Sequence, residues 1–127
     1  MAKTSIRTDR APSPAGPYSQ GIVSNGFLYT AGFGPQDPTT GDVQADVGEQ
    51  TRQVLRNLQA VLAEQGADLN DVVKVTTHLQ HLKRDFDAYN NAYLEFFSAP
   101  YPVRTTVGSE LMNILVEIDV VVALKDA

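Results

Sequence analysis

The chain contains no cysteine and no tryptophan. Without cysteine it can form neither a disulfide bond nor a catalytic thiolate, and its redox compartment stays undetermined. Basic residues are also few, because 10 Lys and Arg stand against 15 Asp and Glu for a formal net charge of −5. Proteins bind nucleic-acid backbones through clustered Lys and Arg, so we expect no nucleic-acid partner.

Long apolar segments are missing as well. The longest purely apolar run, residues 120–124, is far too short to cross a bilayer. The basic N-terminus is not followed by the apolar core of a secretory signal. We therefore expect a soluble, cytoplasmic protein with no membrane partner. Its 127 residues fit a single domain, residues 1–127, which can bury a core without covalent cross-links.

Sequence motifs of cofactor and nucleotide sites are absent too. The chain has no Walker loop, no GxGxxG after a strand and no GxSxG elbow. Its only histidines, His78 and His81, are three residues apart on a predicted strand and its exit. They therefore fall on opposite faces and cannot chelate an ion together, so we expect no metal site.

The residues that are present predict an α+β domain. Alternation with period two predicts strands, and helical spacing of apolar residues predicts two helices. The predicted strands are residues 18–23, 27–31, 71–82, 101–107 and 114–124, and the predicted helices are residues 46–66 and 85–97. Asn25-Gly26 predicts a type I′ hairpin turn, and Asp46 with Glu49 has the spacing of a helix-capping box.

Two helices can cover only one face of such a mixed sheet. The other face is predicted to mix small apolar residues with isolated charges, which suits neither solvent nor a core. Its predicted residues are Lys74, Thr76, His78, Arg104, Thr106, Asp119, Val121 and Ala123. We expect identical chains to cover this face and to create clefts between subunits.

Arg104 and Asp119 are the strongest candidates for chemistry. A strand arginine offers a rigid planar fork that suits a carboxylate, although an ion pair with Glu117 or Asp119 explains it equally well. Asp119 could orient a water molecule toward an anion that Arg104 holds. A glycosidase with Glu117 and Asp119 as paired acids is disfavoured, because the chain has no Trp platform for a sugar. Tyr18 is either a core aromatic or a ring that lines a small cleft.

Five motifs in consistent order resemble the RidA/YjgF family of reactive-intermediate deaminases. They are Gly16-Pro17-Tyr18-Ser19-Gln20-Gly21, Tyr29-Thr30-Ala31-Gly32, Phe86 with Tyr89-Asn90-Asn91-Ala92-Tyr93 and Phe96-Phe97, Pro102-Val103-Arg104-Thr105, and Val116-Glu117-Ile118-Asp119. No single motif is specific to the family, but together they run from about residue 10 to the C-terminus.

The resemblance implies a chorismate-mutase-like fold with two helices on one face of the sheet, a homotrimer with clefts between subunits, and a hydrolase without cofactor. The implied reaction converts 2-imino and enamine acids, such as 2-iminopropionate and 2-aminoacrylate, to 2-keto acids and ammonia. Arg104 matches the arginine that holds the substrate carboxylate. Tyr18, Gly32 and Asn90 match positions that line the cleft.

The chain departs from the family pattern at this implied cleft. Thr106 stands where many members have Cys, and Asp119 stands where deaminase members usually have the Glu that positions the attacking water. Ala31 and Phe33 stand where Ser and Gln are common. These changes predict a subgroup with altered substrate preference.

Two other functions stay open at this point. The same cleft could belong to a non-catalytic sensor of small carboxylates, and ribonuclease activity is ascribed to some relatives. The acidic net charge disfavours the ribonuclease.

Overall fold

Six strands form one mixed sheet in the computed structural model, which describes residues 2–125. The strands are β1 (Thr4–Ile6), β2 (Gly21–Ser24), β3 (Phe27–Thr30), β4 (Val72–Leu79), β5 (Val103–Gly108) and β6 (Val116–Ala123). Their order across the sheet is β1-β2-β3-β6-β4-β5, and the pair β4–β5 is parallel while the other pairs are antiparallel. The C-terminal strand β6 therefore lies at the centre, and β5 lies at an edge.

Two helices, α1 (Val47–Ala63) and α2 (Leu82–Tyr93), pack on one face of this sheet. Asp46 caps α1, because its Oδ1 accepts a hydrogen bond of 2.8 Å from the Glu49 backbone N–H. Glu49 pairs with Arg52 rather than reaching back to the cap. Gly66 follows the helix in the left-handed region with φ +66°, a conformation that glycine adopts readily at a helix C-terminus.

The predicted hairpin turn is also confirmed. Asn25 and Gly26 both have positive φ, 52° and 80°, as a type I′ turn requires, and they join β2 to β3. The hairpin sets the register of β2 and β3, so that Leu28 faces the helices.

The core lies between the helices and the face of the sheet that they cover. Period-two alternation in β4 and β6 sends every second side chain into it. The aliphatic residues with no exposed surface are Leu28, Val54, Leu55, Leu58, Val61, Leu62, Val75, Leu79, Ala92, Val116, Ile118 and Val122. The expected α+β architecture, with two helices over a mixed sheet, is confirmed.

Two elements differ most from the predictions, and smaller differences are that β2 begins at Gly21 rather than at residue 18 and β4 ends at Leu79 rather than at residue 82. Strand β1, which pairs antiparallel with β2, was not predicted because three residues are too few to show alternation. Helix α2 begins at Leu82 and ends at Tyr93, not at residues 85 and 97, and its N-cap residue His81 makes no capping bond that the sequence could signal. Phe97 prolongs the aromatic pattern beyond the helix, because it stacks on Tyr93 with ring centroids 4.3 Å apart.

The prediction that Arg104 and Thr106 share the uncovered face with Asp119 is wrong. Arg104 pairs with Val75 in the parallel register of β4 and β5, and Thr106 pairs with the buried Thr77. Paired residues in neighbouring strands point to the same face, so Arg104 and Thr106 lie on the face that the helices cover. Asp119 pairs with Thr76 on the opposite face, which we call the open face.

Within residues 2–125, none of the helices combines the length and the apolar character that a bilayer crossing needs.

Candidate active site

Arg104 lies near the start of β5, with its guanidinium over three aromatic rings of α2. The Cζ atom is 4.6 Å from the ring centroid of Tyr93, 5.5 Å from that of Tyr89 and 5.8 Å from that of Phe86. Arg104 Nη1 donates a hydrogen bond of 2.9 Å to Asn90 Oδ1. These contacts fix the plane of the guanidinium. Asn90 accepts from Nη1 alone, so other N–H donors of the guanidinium do not bond to it.

Helical periodicity brings this group together. Phe86, Tyr89 and Tyr93 are spaced i, i+3 and i+7, and Asn90 follows Phe86 by four residues, so all four occupy one face of α2. We call the three rings of Phe86, Tyr89 and Tyr93 the aromatic platform. The platform faces β5 because α2 packs against the neighbouring strand β4.

Among the described residues, no acidic side chain forms an ion pair with Arg104. Burial raises the pKa of the Tyr89 phenol, and burial raises the pKa of Tyr93 to about 12. Both phenols are therefore neutral at physiological pH, and the guanidinium next to them keeps its full attraction for an anion.

A small cavity of about 260 Å³ opens at this guanidinium. Its lining residues are Asn90, Tyr93, Leu94, Tyr101, Pro102 and Arg104. We call it the arginine cavity. Because its lining includes a guanidinium and no carboxylate, it suits a small anion.

Three hydroxyl groups lie on the same face beneath the platform. The Tyr89 hydroxyl and Thr77 Oγ1 are 2.6 Å apart in a buried hydrogen bond. Thr106, beside Thr77 in the next strand, has a buried Oγ1 with no hydrogen-bond partner among the described residues. Thr106 therefore retains unused hydrogen-bonding capacity two residues from Arg104.

A second and larger cavity, about 780 Å³, lies on the other side of the sheet. Its lining includes Tyr18, Gly32, His78, Ser109 and Glu117. We call it the open-face cavity. The charged residues in its lining are the acids Asp37, Glu110 and Glu117, and no Lys or Arg is among its described lining residues. Its electrostatics are therefore opposite to those of the arginine cavity.

Gly32 lies close to the side chain of Glu117. A Cβ atom at residue 32 would lie 2.5 Å from Glu117 Oε1, so a larger residue there would displace the flexible end of the Glu117 side chain. Tyr18, half exposed at 51%, stands at the rim, where its hydroxyl accepts a 3.0 Å hydrogen bond from the Ala15 N–H. Tyr18 is thus a cavity-lining ring and not a core aromatic.

Asp119 lies on the open face of β6 and is partly buried. Burial raises its pKa, and the nearby His78 and Lys74 oppose that shift by favouring the carboxylate. Asp119 and Arg104 are on opposite faces, and their strands are separated by β4, so their backbones are about 10 Å apart. The two residues therefore do not meet within one chain, and the ion pair considered for them does not form.

The structure thus divides the predicted site residues into two groups. Arg104, Asn90 and Thr106 lie together on the helix-covered side. Tyr18 and Gly32 line the open-face cavity, and Asp119 lies on that face, two residues along β6 from Glu117.

Sequence reasoning missed the aromatic platform and the hydrogen bond of 2.7 Å between His78 Nδ1 and Ser109 Oγ. The helical spacing of the rings was a usable signal for the platform. The His78–Ser109 pair depends on strand register, which the sequence does not show. For metals, residues 2–125 contain no group of three or more His, Cys, Asp or Glu side chains placed to hold an ion.

Comparison with known proteins identifies relatives over nearly the whole chain. The family model described as Endoribonuclease L-PSP matches residues 8–124. A RutC family protein of Pyrococcus abyssi is 44% identical over 124 residues, covering 95% of this chain and 97% of that protein. Reactive Intermediate Deaminase A, chloroplastic, of Arabidopsis thaliana is 38% identical over 127 residues, covering 98% of this chain and 67% of that protein.

Solved structures show the same architecture. The crystal structure of E. coli TdcF with bound serine matches with a TM-score of 0.90 at 33% identity, covering 96% of this chain and 99% of that one. The mixed sheet with two helices on one face therefore has the chorismate-mutase-like α+β fold that was expected. Within that class, the chain belongs to the RutC/RidA family, the family that its five motifs resemble.

Proposed function

We propose that this protein is a hydrolase that deaminates reactive 2-imino and enamine acids, of the 2-iminopropanoate and 2-iminobutanoate type, to 2-keto acids and ammonia. The observation that carries the proposal is the guanidinium of Arg104, which forms no ion pair among the described residues and is oriented by Asn90 and the aromatic platform at the arginine cavity. Two relatives support it. One is named Reactive Intermediate Deaminase A, and the TdcF structure holds serine, a small molecule that carries a carboxylate.

The chemistry demands little beyond orientation. The C=N carbon of a 2-imino acid is already electrophilic, so water can add to it without a metal or a covalent nucleophile. Arg104 would hold the carboxylate through its planar fork, and Asp119 would align the attacking water. Fixing two reactants in this way can lower the barrier by several kcal/mol. The resemblance also assigns Thr106 to the cleft, and its buried Oγ1 would have to become accessible to contact the bound acid next to Arg104.

A complete site needs two chains in this proposal. Arg104 and Asp119 lie on opposite faces, so the arginine cavity of one subunit would meet the open face of its neighbour. The open face carries exposed apolar side chains that a neighbour would cover, namely Phe27, Tyr29, Val103 and Val107. A homotrimer closes such head-to-tail contacts and creates three equivalent clefts.

The direct test generates an imino acid in situ with an amino-acid oxidase and follows loss of the imine. The wild-type protein should accelerate this loss above the rate in buffer. Arg104→Ala should lower kcat/KM by roughly 10–100-fold, the effect of losing a charged hydrogen bond. Arg104→Lys should also be impaired, because an ammonium cannot replace the planar fork.

Arg10→Ala is the matched control. Arg10 is an exposed arginine that pairs with Glu64 and lines neither cavity, so its loss should leave kcat/KM unchanged. Equal acceleration by the wild type and by Arg104→Ala would reject the proposal. Binding of 2-keto acids without turnover, seen by calorimetry, would instead identify a carboxylate sensor, and retention of RNA on filters at low salt would favour a ribonuclease.

A further inference from the structure

A row of polar groups crosses the open face over three neighbouring strands. The Glu117 carboxylate packs against Gly32, just beyond the end of β3. In the antiparallel register of β4 and β6, Glu117 stands directly opposite His78. His78 Nδ1 is 2.7 Å from Oγ of Ser109, the residue that follows β5. All four residues line the open-face cavity.

The His78–Ser109 pair has the composition of a proton-transfer unit. Histidine is the side chain that gains and loses a proton most readily near neutrality, and a hydroxyl can pass a proton between an imidazole and a third group. The charged groups that face His78 are Glu117 and Asp119 from β6, Lys74 from β4, and Glu110 from the segment after β5. Tyr18, a residue matched to the family cleft, lines the same cavity.

We propose that His78 and Ser109 form the proton relay of the deaminase reaction, an inference that rests on the proposed function. When water adds to a protonated imine, the new C–O bond forms and the π electrons of C=N move to nitrogen. The proton that water loses passes through the Ser109 hydroxyl to His78.

The relay then delivers this proton to nitrogen. The imidazolium of His78 donates it to the amino group of the carbinolamine, and the C–N bond breaks with its electron pair leaving on ammonia. The hydroxyl oxygen becomes the keto oxygen and releases its proton to Glu117 or to solvent. The sum is a protonated imine and water giving a 2-keto acid, ammonia and one proton, with no oxidant or further reactant.

The competing explanation of the His78–Ser109 hydrogen bond is a purely structural role, in which the bond only holds β4 to the segment after β5. The substitution His78→Gln separates the two, because a glutamine amide can keep a hydrogen bond to Ser109 but cannot carry a proton. Ser109→Ala removes the hydroxyl from the relay. His81→Gln is the matched control, since His81 is the other histidine and does not line the open-face cavity.

The experiment measures kcat/KM for imine hydrolysis from pH 5.5 to 8.5 for the wild type and these three variants. We expect His78→Gln to lower kcat/KM by about 100-fold, the usual contribution of general acid–base catalysis. The pH profile of this variant should also differ from that of the wild type, because a glutamine side chain cannot gain or lose a proton in this range. Ser109→Ala should reproduce the loss, and His81→Gln should follow the wild type.

Each remaining outcome is decisive. If the wild type turns over and His78→Gln matches it in rate and pH profile, the relay is overturned and the deaminase stands. If the wild type itself gives no acceleration, both fall together. Rescue of His78→Gln by added imidazole would support proton transfer, because it restores a proton carrier and no protein contact.

Discussion

Asp119 occupies an unfavourable electrostatic position for a charged side chain. Its partial burial raises its pKa, and the opposing influence of His78 and Lys74 does not cancel that shift. The folded state therefore holds a proton on Asp119 more tightly than the unfolded chain does. For a raised folded pKa, the stabilising contribution is present below the unfolded pKa and is lost as pH rises through the folded value.

The variant Asp119→Asn should consequently be more stable and less active. Because Asn carries no charge to bury, we expect its Tm to exceed that of the wild type by about 1–3 °C at pH 8, and by less at pH 4.5. Imine hydrolysis should fall because the neutral amide holds and orients the attacking water less strongly than the carboxylate does. Thermal unfolding at the two pH values measures the first effect. Asp87→Asn, on an exposed position of α2, should show no such pH-dependent gain.

At the scale of single elements, α2 has two separable tasks. Tyr93 provides the nearest ring beneath Arg104, at 4.6 Å, while the Tyr89 hydroxyl holds Thr77 in a fully buried hydrogen bond. The first task concerns the orientation of a guanidinium, and the second concerns the stability of the core. A substitution at Tyr93 should therefore mainly change substrate binding, and a substitution at Tyr89 should mainly change stability.

Tyr93→Leu should mainly weaken substrate binding, with KM for the imino acid rising roughly 2–30-fold, the range of a cation–π contact. Tyr89→Phe keeps the ring but leaves Thr77 Oγ1 buried without the hydrogen bond from the tyrosine hydroxyl. It should therefore lower the free energy of unfolding by about 1–3 kcal/mol, with a smaller change in KM. Steady-state kinetics and denaturant unfolding of both variants check this. The interpretation is wrong if Tyr89→Phe raises KM more than Tyr93→Leu.

Local chemistry made several elements predictable from sequence. Asn25-Gly26 required positive φ at both positions, and Asp46 signalled the start of α1 by its capping side chain. The face of Arg104 was not predictable, because alternation shows which residues of a strand share a face but not which face meets the helices. The register of β5 against β4 decides that, and it depends on contacts between distant parts of the chain.

Similar reasons limited the prediction of the site. Arg104 and Tyr18 were candidates from their residue types and sequence context, whereas Asn90 and Gly32 were found only through motif resemblance. Each of the four lines one of the two cavities. The separation into two groups followed from topology, since β4 lies between the strands of Arg104 and Asp119. No spacing within one sequence carries that information.

At the scale of the whole molecule, this separation leads to a test of assembly. The arginine cavity attracts anions, whereas the open-face cavity is lined by acids, so a cleft made from both would hold a carboxylate at one end and a protonated nitrogen at the other. If each cleft takes Arg104 from one subunit and Asp119 from its neighbour, two differently damaged chains can together rebuild an intact cleft. If both residues act within one chain, no mixture can do so.

Arg104→Ala and Asp119→Asn should each have low activity alone. After the two variants are mixed in equal amounts, unfolded and refolded together, random assembly into a head-to-tail ring places an intact Arg104 against an intact Asp119 at roughly a quarter of the interfaces. We therefore expect imine hydrolysis to recover to about a quarter of the wild-type rate, with sedimentation giving a mass of three chains. Co-refolding each variant with itself is the control for the procedure. A mixture no more active than the separate variants, or a monomeric mass, would show that the cleft is not shared between subunits.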